Sequence, residues 1–349
     1  MRIMFVYWAF EDQGSGLLIQ SYTNAAREMG HDIVVYGRPT ARIPLNYSMD
    51  VDSADALVFI FEWTTHLWHG DNLDFVRLMK VPRRRRVVID GDGNYNELIQ
   101  LDGDYNHRDE ECRKKWLVAC DQLSDKICQP TLHPKPSNAR TFLFYCYNPA
   151  WELPLDVRHK EYGLLYIGNS KFRWPGMSKV LAAVEPVRSS IGRIGLVGHG
   201  WETLPQWARP MKLESAYYTD VHRLQRLGVE FLSPVPFSQV VRWMNKALIN
   251  PVLTRPTFNY LQYVTPRYFE TPAAGTIPLF VLDSDHVRDI YGDVARELLL
   301  PFEAAEEKIL DIVNRPRHYA EVVEQIRSDL RHVHSQKRRV QELIDIIES

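Results

Sequence analysis

The chain has 349 residues, of which 45% are hydrophobic and 25% are charged. These values are typical of folded globular proteins and exclude the disordered and fibrous classes. The length exceeds what one hydrophobic core usually supports, so we expect two domains of roughly 150 to 200 residues. A net charge of -2 disfavours a nucleic-acid partner, because such binding generally needs an excess of Lys and Arg on one face.

Three features of the sequence predict a cytoplasmic protein. The N-terminal segment MRIMFVYWAF has no small-residue cleavage site after it, which favours a first strand over a signal peptide. No stretch of about 18 uncharged apolar residues predicts a transmembrane helix. The four cysteines lack CxxC spacing, which indicates reduced thiols.

The first half of the chain alternates apolar strand-like runs with helical patterns. IMFVYWAF, DIVVYG, ALVFIFEW and RRVVIDGDG read as strands, and the first is followed by a helix that Gly30 ends. We predict further helices around 72–79 and 109–128, and a last strand with a linker in FLFYCYNPAW. This alternation is typical of a doubly wound parallel sheet and predicts an N-terminal Rossmann-like domain over residues 1–150, which would bind the acceptor.

The alternation restarts after residue 150 with the strands YGLLYIGN, RIGLVGHGW, GVEFLSPVPF, LINPVL and TIPLFVL. A second Rossmann-like α/β domain is therefore predicted over 151–317. Residues 318–349 contain two apolar helical stripes and no further strand, so we expect C-terminal helices that pack across both domains.

Ligands of parallel sheets bind beyond the carboxyl ends of the strands, where loops and helix N-termini present backbone N–H groups. After the first strand, the loop EDQGSG supplies Gly14 and Gly16, where backbone could approach an anion or a sugar, although glycine is also common in such turns. After the first strand of the second domain, IGNSKFRWPG offers a phosphate-facing turn with two cations, at Gly168, Asn169, Ser170, Lys171 and Arg173.

Two further segments follow strands. In VGHGWETL, His199 stands between two glycines and either faces a ligand or belongs to a structural turn. In TPRYFETPAAG, Glu270 is a carboxylate in an apolar run. It either accepts backbone N–H groups at a helix start or binds the vicinal hydroxyls of a ribose.

The acidic loop DGDGNYNELIQLDGDYNH does not predict a metal site. Counted from Asp90, neither the glycine nor the bidentate glutamate of a calcium loop falls at the required position. A sugar-binding or catalytic loop in the cleft between the domains is the alternative that we favour.

The second-domain segments together resemble the donor-binding half of GT-B glycosyltransferases, closest to the CgeB-like, group-1-like branch. The resemblance covers roughly 162–282, and its R-x-F-E-x-x-A-x-G segment is matched by Arg267, Phe269, Glu270, Ala273 and Gly275. It implies two facing Rossmann-like domains and a transfer from a UDP- or GDP-sugar to a small-molecule or glycan acceptor.

The resemblance also implies roles for particular residues. Glu270 would bind the nucleotide ribose, the loop from Gly168 to Arg173 would face the diphosphate, and the turn that includes Thr271 and Gly275 would help to hold the phosphates. No cofactor and no bound metal would be needed, because basic side chains and helix dipoles stabilise the leaving group.

The stereochemistry of the transfer stays open at this point. Many retaining relatives have a second acid upstream of the segment, whereas this chain has Tyr263 and Val264 there. An inverting enzyme needs a general base near the acceptor hydroxyl, and the candidates for that base are Asp92, Glu11, Asp12 and His66. A nucleotide-sugar epimerase and a non-enzymatic two-domain binding protein are the alternative functions.

Overall fold

The computed structural model describes residues 1–7, 14–37, 45–61 and 74–349. Three of the four candidate bases, Glu11, Asp12 and His66, lie outside these described residues.

The N-terminal part of the chain forms a parallel sheet. In sequence order its described strands are β1 (Arg2–Val6), β2 (Asp32–Tyr36), β3 (Tyr47–Ser48), β4 (Ala56–Phe61), β5 (Arg86–Asp90), β8 (Ile127–Gln129) and β9 (Ala139–Thr141). Their spatial order is β3-β2-β1-β4-β5-β8-β9. A separate antiparallel hairpin, β6 (Gln100–Leu101) and β7 (Asp104–Tyr105), follows β5.

Apolar side chains cover both faces of this sheet, as the continuous apolar runs predict. The helix α1 (Gly14–Glu28) packs on one face, and α2 (Phe75–Leu78) and α3 (Glu110–Leu123) belong to the other. The sheet is thus doubly wound.

Two details of the N-terminal prediction are wrong. Helix α3 ends at Leu123, and the last residues assigned to it belong to strand β8. The segment 142–147 is not a strand of the sheet, although its side chains alternate. The alternation arises because Phe142, Phe144 and Cys146 enter the N-terminal core whereas Leu143 and Tyr147 enter the C-terminal core.

The C-terminal sheet is parallel with the strand order β12-β11-β10-β13-β14. Its strands are β10 (Tyr162–Ile167), β11 (Ile194–Val197), β12 (Val229–Leu232), β13 (Ala247–Val252) and β14 (Ile277–Phe280). The helices connecting and following these strands are α4 (Trp174–Val184), α5 (Arg188–Ile191), α6 (Val221–Arg226), α7 (Val240–Met244), α8 (Pro256–Leu261), α9 (Arg267–Ala273), α10 (Ser284–Tyr291) and α11 (Ala305–Asn314).

Two helices end the chain, α12 (Pro316–Val333) and α13 (Gln336–Glu348). Helix α12 packs in the C-terminal core through side chains such as Val323 and Leu330. Helix α13 instead buries Leu343 and Ile347 in the N-terminal core beside α1. The C-terminal helices therefore pack across both halves. Among the helices of the described residues, none has both the length and the apolar character needed to cross a bilayer.

Candidate nucleotide-sugar cleft

A cleft of about 500 Å³ opens at the carboxyl ends of the C-terminal strands, a volume suited to a small-molecule ligand. The loops after β10, β11, β12 and β13 and the start of α9 form most of its wall. Asp92, from the loop after β5, lines it from the N-terminal half. The cleft therefore lies where a ligand would touch both halves of the molecule.

The loops after β10 and β11 cross at two glycines. The backbone N–H of Gly168 donates to the carbonyl of Val197 at 2.8 Å, and that of His199 donates to Oδ1 of Asn169 at 2.9 Å. Gly198 has φ of +137°, and a Cβ there would lie 2.7 Å from the carbonyl carbon of Gly168. Glycine is required for this crossing, which leaves bare backbone facing the cleft.

Lys171 and Arg173 follow this crossing and also line the cleft. Burial, together with the neighbouring Arg255, lowers the pKa of the Lys171 ammonium to about 8, while Asp92 opposes the shift. Arg173 donates from Nη1 to the carbonyl of Lys171 at 3.2 Å. Positive charge is thus concentrated and partly desolvated at one wall, which favours an anionic ligand.

Glu270 has a partner within its own helix. Its carboxylate, only 6% exposed, accepts a charge-assisted hydrogen bond from Nη1 of Arg267, three residues earlier in α9. Arg267 also donates from Nε to the carbonyl of Ile167 at 3.1 Å and lines the cleft. The buried carboxylate is therefore compensated; Arg267 lines the cleft near the end of β10, whereas Glu270 is not among the residues that line it.

Asp92 is held in place by a buried neighbour. Asp90 is fully buried and accepts from the backbone N–H groups of Asn94 at 2.7 Å and Tyr95 at 2.9 Å, and from Nε2 of Gln129 at 3.0 Å. Burial raises the pKa of Asp90 to about 6 despite these bonds. The bonds close the loop that presents Asp92 to the cleft.

His199 lines the cleft as an exposed side chain. Its ring lies edge-on to Trp207, with 4.8 Å between the ring centroids. Partial desolvation lowers the pKa of the imidazole. The ring is therefore mostly neutral at pH 7, when it can donate one hydrogen bond and accept another.

Three residues that the sequence assigned to the donor site lie away from the cleft. Ser170 is fully buried, and its backbone N–H donates to the carbonyl of His199 at 2.9 Å. Thr271 is buried, with its hydroxyl 3.9 Å from Sδ of Met244. Gly275 follows the C-terminal end of α9, whereas the N-terminal end of that helix faces the cleft. None of these three positions lines the cleft.

Gly14 and Gly16 lie in the first turn of α1, after β1. Gly16 does not line the cleft in the part of the chain that the structure describes.

The sequence did not indicate Arg255, Phe172 or Phe258, which also line the cleft. Arg255 precedes α8 in a segment without a recognisable motif. Its guanidinium pairs with the carboxylate of Asp104, a residue of the other half, and no local sequence pattern connects the two.

Among the described residues, no group of three His, Cys, Asp or Glu side chains is arranged to hold a metal ion.

Residues 179–345 match the family model described as glycosyl transferase-like. No curated protein has a sequence that matches the chain significantly.

Three solved structures illustrate the similarity of the fold. An α-glucosyltransferase in complex with UDP and a 13-mer DNA superposes with a TM-score of 0.63 at 14% identity, over 100% of both chains. HepE of Anabaena, in complex with UDP and glucose, gives a TM-score of 0.61 at 11% identity over 100% of this chain and 99% of that one. BGT of T4 phage, in complex with UDP and Mn²⁺, gives 0.57 at 13% identity over 100% of both chains.

The chain therefore has the GT-B fold of the glycosyltransferases, and its residues 179–345 match the glycosyl transferase-like family.

Proposed function

We propose that this protein transfers a sugar from a UDP- or GDP-sugar to a small-molecule or glycan acceptor. The observation that supports this most is the cationic wall of the cleft, formed by Lys171, Arg173 and Arg267 beside exposed backbone. Such a wall suits a diphosphate. The match to the glycosyl transferase-like family and the solved structures that contain UDP point to the same ligand.

In this proposal, the diphosphate lies against the loop that follows β10. The three cations then stabilise the charge that develops on the leaving nucleoside diphosphate when the glycosidic bond breaks. Glu270 accepts hydrogen bonds from the ribose hydroxyls while it stays paired with Arg267. The pair then orients the nucleoside relative to the cations.

Asp92 is the candidate for the general base among the described residues that line the cleft. It faces the cleft from the opposite half to the cations, so an acceptor bound between them would present its hydroxyl to this carboxylate. The carboxylate would take the hydroxyl proton as the oxygen attacks the anomeric carbon. This role applies to an inverting transfer; in a retaining transfer Asp92 would bind the acceptor without taking its proton.

We further propose that the reaction needs no bound metal, since the cations of the cleft supply the positive charge that the leaving group needs. Activity in a metal-free buffer containing EDTA should equal that with added Mg²⁺ or Mn²⁺. A requirement for either ion would contradict this part of the proposal.

The donor assignment is tested by thermal unfolding with UDP, GDP, ADP, CDP, TDP and NAD. A ligand at 100 times its dissociation constant should add about 2.7 kcal/mol to the free energy of unfolding. We expect stabilisation by UDP or GDP that is strongly reduced in Glu270→Gln. The matched control is Glu230→Gln, which removes a half-buried carboxylate paired with Arg193 outside the cleft and should keep the full response. A response to NAD alone would contradict the proposal.

The transfer itself is tested with UDP-sugars and GDP-sugars in the presence of glycan and small-molecule acceptors. Release of the nucleoside diphosphate together with a glycosylated product is the expected result. Isomerisation of the free sugar nucleotide would indicate an epimerase, and binding without turnover would indicate a binding protein.

DNA belongs in the acceptor panel because one similar solved structure contains it, and transfer to DNA alone would replace the proposed acceptor class.

A further inference from the structure

A buried ion pair joins the two halves of the molecule at the edge of the cleft. The hairpin of β6 and β7 packs on α8, and Asp104 at the start of β7 has a completely buried carboxylate. This carboxylate accepts from Nε of Arg255 at 3.0 Å and also pairs with Nη2 of the same guanidinium. It accepts further bonds from the backbone N–H of Thr257 at 2.9 Å and from its hydroxyl at 2.6 Å. One carboxylate of the N-terminal half thus holds the start of α8 in the C-terminal half.

The guanidinium of Arg255 is fixed on its other sides as well. Its Nη2 also donates to the carbonyl of Tyr105 at 2.8 Å, and its central carbon lies 4.5 Å from the ring centroid of Phe172 and 5.1 Å from that of Phe258. Two of its three nitrogens are therefore occupied by the N-terminal half. Among the residues that the structure describes, none accepts a hydrogen bond from Nη1, and Arg255 lines the cleft. The geometry leaves one nitrogen for a ligand.

A gain in stability does not by itself explain why a buried ion pair is present at this position. Desolvating two charges costs several kcal/mol, and apolar side chains of similar volume often stabilise a protein equally well. The location of this pair also has a cost, because Arg255 repels the ammonium of Lys171 and lowers its pKa. Two neighbouring cations at one wall of a cleft favour an anion that binds between them.

We propose that Arg255 is a further diphosphate-binding residue and that Asp104 is the positioning residue that orients it. The inference rests on the proposed nucleotide-sugar donor and adds a residue that no motif in the chain indicates. The Asp104–Arg255 pair also connects donor binding with the arrangement of the two halves. Separation of the hairpin from α8 would take Asp104 away from Arg255, so donor affinity would depend on how the two halves are arranged. By reciprocity, the donor would favour the arrangement described here.

The role of Arg255 is tested by measuring, by calorimetry, the dissociation constants of UDP, UMP and uridine, or of the guanosine series if GDP is the better ligand. Arg255→Gln and Arg255→Lys should weaken the diphosphate at least about tenfold, because hydrogen bonds to charged groups are strong and lysine lacks the planar fork. The nucleoside should change less than about twofold. The matched control is Arg331→Gln, which breaks a bidentate pair with Glu152 outside the cleft and should change neither constant.

The role of Asp104 is tested by Asp104→Asn, which keeps the shape of the side chain and removes its charge. The ratio of diphosphate to nucleoside affinity should fall, whereas Thr257→Val, which removes only one donor to Asp104, should keep it. If Asp104→Asn is too unstable to purify, the double variant Asp104→Asn/Arg255→Gln avoids an unpaired buried charge. The double variant should lose as much diphosphate affinity as Arg255→Gln alone.

The possible failures are distinguishable. Unchanged diphosphate affinity in both Arg255 variants overturns the role of Arg255 while the donor proposal stands. An equal loss for uridine and UDP shows that Arg255 is only structural and also overturns the inference. A double variant that loses clearly more than Arg255→Gln overturns the positioning role of Asp104. A wild-type protein that binds none of the nucleoside diphosphates overturns the proposed function and this inference together.

Discussion

At the scale of single residues, the chemistry of the cleft depends on how each charge is paired. Glu270 pairs with Arg267 within one helix turn, and Asp104 pairs with Arg255 across the two halves. Burial and Arg255 both lower the pKa of Lys171, while Asp92 and Asp104 raise it. Its ammonium loses its proton as the pH rises through about 8.

Nucleoside diphosphate binding should therefore weaken as the pH rises. The pKa of Lys171 is about 8 in the free protein, and a bound diphosphate favours the charged form and raises it. Affinity is then nearly full at pH 7, one unit below this pKa, and should fall about tenfold between pH 7 and pH 9. Calorimetric titrations at several pH values measure this fall, and Lys171→Gln should bind more weakly at pH 7 and lose most of the pH dependence. A wild-type affinity that stays constant to pH 9 would contradict the prediction.

The lowered pKa of Lys171 changes the free energy of unfolding in the direction opposite to ligand affinity. Between pH 8 and the pKa of an unfolded lysine, the unfolded chain binds more protons, so this residue makes the folded state more stable as pH rises.

At the scale of elements, helix α9 has different surroundings at its two ends. Its first residue, Arg267, lines the cleft, whereas Gly275 follows its last turn with φ of +69° and packs against the segment that connects the two sheets. A Cβ on Gly275 would lie 2.9 Å from the carbonyl oxygen of Leu153, 2.7 Å from Nδ2 of Asn245 and closer still to the carbonyl oxygen of Pro154. The glycine therefore fixes where the helix ends against backbone atoms that cannot easily move.

Gly275→Ala should lower the free energy of unfolding by on the order of 2 kcal/mol or more, because the left-handed conformation costs about 1 to 2 kcal/mol and the contact with backbone adds to it. Gly228→Ala is the matched control. Gly228, which follows α6 in the same half, has φ of +62°, and its Cβ would meet nothing closer than Nη2 of Arg188 at 3.5 Å, so only the conformational cost should appear. Urea unfolding followed by circular dichroism compares the two, and equal losses would show that the contact with Leu153, Pro154 and Asn245 is relieved.

At the scale of the whole molecule, the chain passes from the N-terminal half to the C-terminal half and returns to the N-terminal half with its last helix, α13. Helix α12 packs in the C-terminal core, and the backbone N–H of Tyr147 donates to the carbonyl of His334 at 2.9 Å where α12 ends. Helix α13 then enters the N-terminal core, and Nζ of Lys126 donates to the carbonyl of Ile347 at 2.8 Å. The last helix therefore contributes to the stability of the N-terminal half, where its contact residue Lys126 lies 221 residues earlier in the chain than Ile347.

Leu343→Ala should destabilise the N-terminal half by about 2 to 5 kcal/mol, because Leu343 is fully buried and its truncation leaves a cavity. Amide hydrogen exchange should show faster exchange in α1, β1 and β2 and little change in the C-terminal sheet. Val118→Ala, at a 54% exposed position of α3, should change the free energy of unfolding by less than about 0.5 kcal/mol. Exchange that rises equally in both sheets would show that the two halves unfold as one unit.

Local patterns were sufficient to predict much of this molecule. The apolar runs predicted both parallel sheets, because strands buried on both faces need continuous apolar sequence. The glycine-containing turns after β10 and β11 indicated where the cleft would be, because ligands of such sheets bind beyond the carboxyl ends of strands. The segment 142–147 misled the prediction because side chains that alternate between two cores have the same period as a strand.

The sequence by itself determined the two parallel α/β sheets, the loop with Gly168, Lys171 and Arg173, and the spacing that pairs Arg267 with Glu270, since all of these depend on neighbours within a few residues. Only the tertiary structure decided that α13 returns to the N-terminal core, that Asp92 faces the cations, and that Asp104 holds Arg255. Asp104 and Arg255 are 151 residues apart, and a charge pair at that separation leaves no periodicity or motif in the chain. The partner of a buried charge is decided by which surfaces meet, and the packing of the two halves determines that.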